Sequence, residues 1–173
     1  MNHHRQGLLP VTLCARGLIA AALALVTCTA SAQVATCAVA YTGSNVNFGV
    51  YDPFNSNPVT ASMSATLTCT HVSGGAARTN WTMALSSGNS GNCATRRMNS
   101  GADTLSYNIY RGSLAGGVWG ATCAGDPSGQ IQTTNGNPVA SATNILYGQL
   151  PTGQFNAGVG SYSDTLVLTV TYN

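Results

Sequence analysis

The chain has 173 residues, 44% of them hydrophobic and only 6% charged, with six Arg, four Asp, no Lys and no Glu. That inventory is too sparse for the basic stripe of a nucleic-acid binder. It is also too apolar for a charged disordered chain. Ser, Thr, Asn and Gly fill the polar positions, which argues against a helical bundle and for strands and turns.

Taken in chain order, residues 1–32 read as an export signal. Arg5 and Arg16 precede the apolar run Leu18-Ile19-Ala20-Ala21-Ala22-Leu23-Ala24-Leu25-Val26, and Ala30-Ser31-Ala32 has the small-x-small form of a cleavage site. The run is too short for the ~20 residues that cross a bilayer, so no membrane anchor is expected. Taking 32 residues from 173 leaves 141, residues 33–173, as one domain. Four Arg then face four Asp, and His71 is the sole histidine. The remaining cysteines are Cys37, Cys69, Cys93 and Cys123.

An exported chain with four cysteines reads as disulfide-bonded. Three pairings are open. The sequential one closes two loops of similar size, each bridge contributing roughly 3–4 kcal/mol on the loop-entropy model. No Cys-x-x-Cys pair supports zinc, so neither a metal nor a cofactor is expected.

Strand signals follow. Short candidates lie at 36–41 and 46–50. The clearest is Ala61-Ser62-Met63-Ser64-Ala65-Thr66-Leu67-Thr68-Cys69, where apolar residues alternate with Ser and Thr in the period of a half-buried strand. Residues 80–86 and 105–110 alternate likewise. Shorter candidates are 117–119 and 144–147. The last, at 165–172, sets Leu166, Leu168, Val170 and Tyr172 on one face. Turn-rich stretches at 73–75, 87–91, 125–129, 133–138 and 157–160 separate them. About seven short antiparallel strands with a cysteine bridge predict an immunoglobulin-like β-sandwich.

The strand at 165–172 is the most apolar, yet it lacks the Lys, Pro or bulge that usually blunts an exposed sheet edge. Either an upstream strand covers it or another chain does, by β-augmentation.

Catalytic equipment is thin. General acid–base chemistry draws on His, Glu, Asp or Lys, and here that means His71 and four separated Asp. His71 reads as a solvated loop histidine. Asp52 before Pro53 and Asp164 before the last strand read as turn formers. No catalytic residue is assigned, and the protein is expected not to be an enzyme. Arg96-Arg97 is the one charge cluster, with Arg97 expected to pair with an Asp or to lay its stem over the sandwich. Trp81 and Trp119 read as packing residues. Exposed apolar loop residues would suggest adhesion, and the candidates are Phe54, Val118 and Trp119.

Ordered phrases along the chain resemble the spore coat protein U domain, the family that contains subunits of archaic chaperone–usher pili. They begin with Cys37 and Asn47-Phe48-Gly49-Val50-Tyr51-Asp52-Pro53, then the strand ending at Cys69. Leu85-Ser86-Ser87-Gly88, Arg97-Met98 and Leu105-Ser106-Tyr107-Asn108-Ile109-Tyr110 follow. The rest are Trp119-Gly120, Tyr147-Gly148-Gln149-Leu150-Pro151, Gln154 and Gly160-Ser161-Tyr162-Ser163-Asp164-Thr165. Each is weak alone; in this order they cover nearly all of residues 33–173.

The resemblance implies a sandwich lacking its final strand. A periplasmic pilus chaperone fills the groove, an outer-membrane usher assembles the fibre, and a neighbouring subunit's N-terminal segment takes the groove there. It implies Leu166, Leu168, Val170 and Tyr172 as the acceptor groove, facing inward residues of the first strand. It further implies a Cys37–Cys69 disulfide, leaving Cys93–Cys123 between two loops. Polymerising subunits of the family carry a long donor segment before the first cysteine. Here Gln33-Val34-Ala35-Thr36 reach about 13 Å, less than an ordinary strand.

The expectation is therefore a chain that accepts a strand without giving one, a tip or minor subunit of a surface fibre acting in adhesion or biofilm formation. The alternative is a stand-alone secreted or spore-coat-like binding domain with a self-complete sandwich.

Overall fold

The alternating segments become strands and assemble into two facing sheets in a computed structural model that describes residues 35–173. The expected export signal at 1–32 lies outside the described residues. The strands are β1 (Ala35–Tyr41), β2 (Val59–His71), β3 (Ala77–Leu85), β4 (Arg97–Ser100), β5 (Asp103–Ser106), β6 (Asn108–Arg111), β7 (Ser128–Thr133), β8 (Val139–Leu150) and β9 (Leu168–Tyr172). One sheet has the order β1-β2-β8-β6, the other β7-β3-β9, and β4 and β5 form a separate hairpin. All these pairings are antiparallel.

Alternation decides which face each strand buries. Ala65, Leu67 and Cys69 of β2 turn inward, while Thr66, Thr68 and Thr70 turn outward. Thr66 and Thr68 pair their hydroxyls with Thr143 and Ser141 of β8, both at 2.9 Å. Met83 and Leu85 of β3, Ile109 of β6, Ile131 of β7 and Leu146 and Leu150 of β8 complete the buried layer between the sheets.

Lettered in chain order with β4, β5 and β7 as additions, β1-β2-β8-β6 is the A-B-E-D sheet of an immunoglobulin sandwich. β3 and β9 then take the C and F places. A C-F-G sheet would carry a strand beside β9. Among the described residues that place is empty, and β9 is an edge.

Several expected strands differ. Residues 46–50 form no strand. Val46 and Phe48 instead lie against Gly148, where a Cβ would come within 2.8 and 2.7 Å of them. The 117–119 segment forms one bridge, Tyr110 to Val118. The 105–110 segment breaks at Tyr107 into β5 and β6 because Gln154 takes up the Ser106 backbone, accepting from its N–H at 2.6 Å and donating to its C=O at 2.9 Å. β7 carries one large apolar residue, Ile131, and its Gly129 leaves room for the ring of Trp81 opposite. His71 is the last residue of β2 and not a solvated loop residue. Both its ring nitrogens are buried without a hydrogen-bond partner among the described residues.

Both disulfides are formed. Cys37–Cys69 joins directly paired residues of β1 and β2, with Cα atoms 4.1 Å apart. Cys93–Cys123 ties the loop after β3 to the loop before β7.

The second bridge borders a buried guanidinium. Arg96, not Arg97, is the arginine that packs inside: Arg96 is fully buried and Arg97 is exposed. Its Nη2 donates to the carbonyls of Trp119 at 2.6 Å and Ser86 at 2.8 Å, and Nη1 donates to Cys93 at 3.4 Å. Trp119 is fully buried as well, its Nε1 donating to the Met83 carbonyl at 3.0 Å. Burial pulls the Arg96 pKa below its ordinary value, an effect opposed by Tyr107, Asp164 and Asp126.

Three loop carbonyls therefore depend on one side chain. Each buried carbonyl left unpaired costs about 1–3 kcal/mol. Arg96→Met is expected to lower the unfolding free energy by about 3 kcal/mol or more in urea titration. Arg97→Met, at an exposed site, should change it by less than about 0.5 kcal/mol. Equal effects of the two would contradict this role for Arg96.

Candidate strand-binding groove

The hydrogen bonds of β9 show what its free edge offers. Backbone groups alternate sides along an antiparallel strand. Asn173 exchanges both bonds with Asn80, at 3.1 Å each, and Val167 O accepts from Ser86 N at 3.0 Å. Odd-numbered residues from 167 to 173 thus turn their N–H and C=O groups toward β3. Leu166, Leu168, Val170 and Tyr172 turn theirs away, to the open side. The same four point their side chains toward the interior, while Val167 is exposed.

β1 mirrors this. Thr42 N donates to Ser64 O at 3.0 Å in register with the β1–β2 ladder, so even-numbered residues face β2. Ala35, Cys37, Val39 and Tyr41 present their backbone groups to the gap. Their side chains are the half-buried ones of the strand. Two sheet edges therefore face one another, their backbone groups free among the described residues except for the Cys37 carbonyl, with apolar side chains beneath.

Between them lies a groove of about 730 Å³. Tyr41, Val46 and Phe48 line one side and residues 164–168 the other. Met63, Leu85, Met98, Tyr107, Ile109 and Leu146 lie between, at the core. Phe48 meets Tyr107 edge-on, with ring centroids 5.9 Å apart.

One end is polar. Tyr107 donates its hydroxyl to Asp164 Oδ2 at 2.6 Å, and Asp164 Oδ1 accepts from the backbone of Asn89 at 2.9 Å and Thr165 at 2.7 Å. Burial, then the bond to Asp164, pushes the Tyr107 phenol well above the ordinary tyrosine value. Gly88 is required there, with a φ of +66° and the Asp164 carboxylate where a Cβ would sit. The other end is crossed by a hydrogen bond from the Tyr172 hydroxyl to the Cys37 carbonyl at 3.2 Å.

The sequence-derived groove residues divide accordingly. Leu166 and Leu168 line the groove. Val170 and Tyr172 share their face but pack against the core beyond it. Tyr41, Val46, Phe48, Met63, Met98 and Tyr107 line it too, Val46 and Phe48 from the segment at 46–50 and Tyr107 from within a strand signal.

The loop candidates separate more sharply. Trp119 is buried at 0% exposure and Val118 is half-buried, so neither forms an exposed apolar loop; the Trp119 indole is drawn inside by its bond to Met83. Phe54 is 83% exposed and lies against Phe155, itself 64% exposed, with centroids 5.4 Å apart. Their loops are tied together: Tyr51 donates to the Pro151 carbonyl at 2.8 Å and accepts from Gln154 N at 3.1 Å. Asp52 Oδ1 accepts from Phe54 N at 2.9 Å and fixes the turn that presents the ring.

Comparison with known proteins gives a family and two solved neighbours. The Spore Coat Protein U domain model matches residues 21–169. The chaperone–tip adhesion subunit pre-assembly complex CsuC–CsuE, from archaic chaperone-usher Csu pili of Acinetobacter baumannii, is 23% identical. That match has a TM-score of 0.46 and covers 78% of this chain and 39% of that one. A chaperone–tip adhesin complex described as vital for synergistic activation of CFA/I fimbriae biogenesis is 14% identical, with a TM-score of 0.41. It covers 77% of this chain and 42% of that one. The chain thus spans about two fifths of the length of each. No curated protein matches it. On the family match across residues 21–169, the chain belongs to the Spore Coat Protein U domain family.

Proposed function

We propose that the protein is a non-catalytic structural subunit of a surface fibre, exported and then assembled by donor-strand complementation. The observation that carries this reading is the pair of facing sheet edges whose backbone groups are largely unpaired among the described residues, above an apolar groove. An extended segment laid there would bond to both edges and cover the core beneath, which is strand addition. A periplasmic pilus chaperone would supply that segment first, and a neighbouring subunit would replace it as an outer-membrane usher assembles the fibre. The two solved neighbours are a chaperone–tip adhesion subunit complex and a chaperone–tip adhesin complex.

Co-expression with a periplasmic pilus chaperone tests the reading. A 1:1 complex is expected, with the protein alone accumulating poorly. A stable monomer that ignores the chaperone would contradict it and favour a self-complete, stand-alone domain.

A tip or minor position, with a role in adhesion, is the finer part of the proposal. Its support is the exposed Phe54–Phe155 pair, held by hydrogen-bonded loops rather than left to collapse inward. Three polar side chains near the pair serve the loops themselves: Asp52 in its turn, Asn55 in the bond to Asn57 N, and Gln154 on Ser106. The two exposed rings together form an apolar patch, so the fitting contact is an apolar surface. Covering a Phe is worth about 1.5–3 kcal/mol. A Phe54→Ser/Phe155→Ser double variant should bind polystyrene beads at least about tenfold less tightly, with urea stability retained. Unchanged binding would contradict the adhesive role.

A further inference from the structure

The Tyr172 hydroxyl occupies an acceptor that an incoming strand would need. Cys37 belongs to the β1 residues whose backbone faces the gap, and its carbonyl is the one edge acceptor in that gap already taken among the described residues, by Tyr172 at 3.2 Å. The bond spans the two sheets: β9 belongs to one and β1 to the other. β1 runs from Cys37 toward Tyr41, and β9 from Leu168 toward Tyr172, so the two edges are antiparallel across the gap. The groove is open where Tyr41 faces Leu166 and Leu168, and crossed where Cys37 faces Tyr172.

We infer that Tyr172 is a latch that sets how far an inserted strand penetrates, a conclusion that rests on the strand-acceptor reading above. The occupant is an extended apolar segment of another chain. Its entry is at the Leu166 end, where no hydrogen bond among the described residues joins the β1 side to the β9 side. With 3.2–3.4 Å of rise per residue, the edge from Leu166 to Val170 accommodates about five residues with the latch closed. Reaching Tyr172 adds about two more, and those two require the Tyr172–Cys37 bond to break. The incoming backbone N–H then takes over the Cys37 carbonyl, so the hydrogen bond is exchanged rather than lost. The phenol ring keeps its packing against the core in either state, since it is the hydroxyl alone that bridges.

The latch makes insertion two-stage. A short segment binds without paying for latch opening. A long one gains its last contacts only against a competing intramolecular bond. A typical net hydrogen bond corresponds to about a threefold to tenfold change in equilibrium, and the ligand's apparent affinity scales with the population of the open state.

The test uses two fluorescein-labelled peptides of alternating Val and Thr, five and seven residues long, with a shared two-lysine tail for solubility. Their affinities are measured by fluorescence anisotropy on the full protein and on Tyr172→Phe, with Tyr110→Phe on the outer face as control. The expected result is that Tyr172→Phe tightens the seven-residue peptide about fivefold and leaves the five-residue peptide within twofold of wild type. Tyr110→Phe should alter neither. Equal behaviour of wild type and Tyr172→Phe toward a bound seven-residue peptide overturns the latch. Parallel weakening or tightening of both peptides assigns Tyr172 a packing role and also overturns it. Failure of both peptides to bind any of the three proteins overturns the strand-acceptor reading itself.

Discussion

Backbone N–H and C=O groups must find partners wherever water is excluded, and among the described residues this sandwich leaves two rows of them, the Cys37 carbonyl apart, without partners over its own core. The rest of the structure is arranged around that gap. On β9, the residues whose side chains reach the interior are also those whose backbone groups face the gap. The same coincidence holds on β1. It follows from geometry: in a strand, side-chain direction and hydrogen-bonding side both alternate with period two. One set of residues therefore offers apolar contact and backbone bonding together, the combination that a further strand requires.

The devices that stiffen the fold sit around the gap rather than in it. Cys37–Cys69 locks β1, the edge strand, to β2. β1 is held to its sheet on one side only, and the disulfide reinforces that one side. Arg96 gathers carbonyls from the loop after β3, from Cys93 and from Trp119, so the loops behind the groove are drawn to one buried point. Tyr107 and Asp164 connect this region to the groove, because Tyr107 lines it and bonds to the carboxylate at its polar end. The groove is thus bordered by elements tied through a disulfide and hydrogen bonds, with its centre open.

Much of this was legible in the sequence, for stated reasons. β2, β3 and β9 alternate over their whole length, and alternation is the direct trace of a half-buried strand. The two-sheet architecture followed from the number and spacing of such segments. Other parts were hidden. β7 buries Ile131 and Thr133 and relies on Gly129 beneath Trp81, so its pattern holds too few apolar residues to register. Residues 46–50 carry a strand-like pattern, but Gly148 lets Val46 and Phe48 settle against the sheet instead. Leading into β9, Leu166, Val167 and Leu168 are all apolar, so hydropathy alone does not separate the inward residues from the outward one. Pairing with Ser86 settles it, turning the Val167 backbone to β3 and its side chain outward. Arg96 and Arg97 are chemically equal in the sequence. Only the third dimension puts three carbonyls around one of them.

Hydrogen–deuterium exchange resolved to single amides tests the open-edge account most directly. In the free protein, Thr169 and Thr171 should exchange slowly, since their N–H groups bond to β3, whereas Leu168 and Val170 should exchange fast. Addition of a chaperone or an alternating apolar peptide should slow Leu168 and Val170, together with Val39 and Tyr41 across the gap, and leave Thr169 and Thr171 unchanged. Slow exchange of Leu168 and Val170 in the free monomer would contradict the account, because those amides would already have their partners.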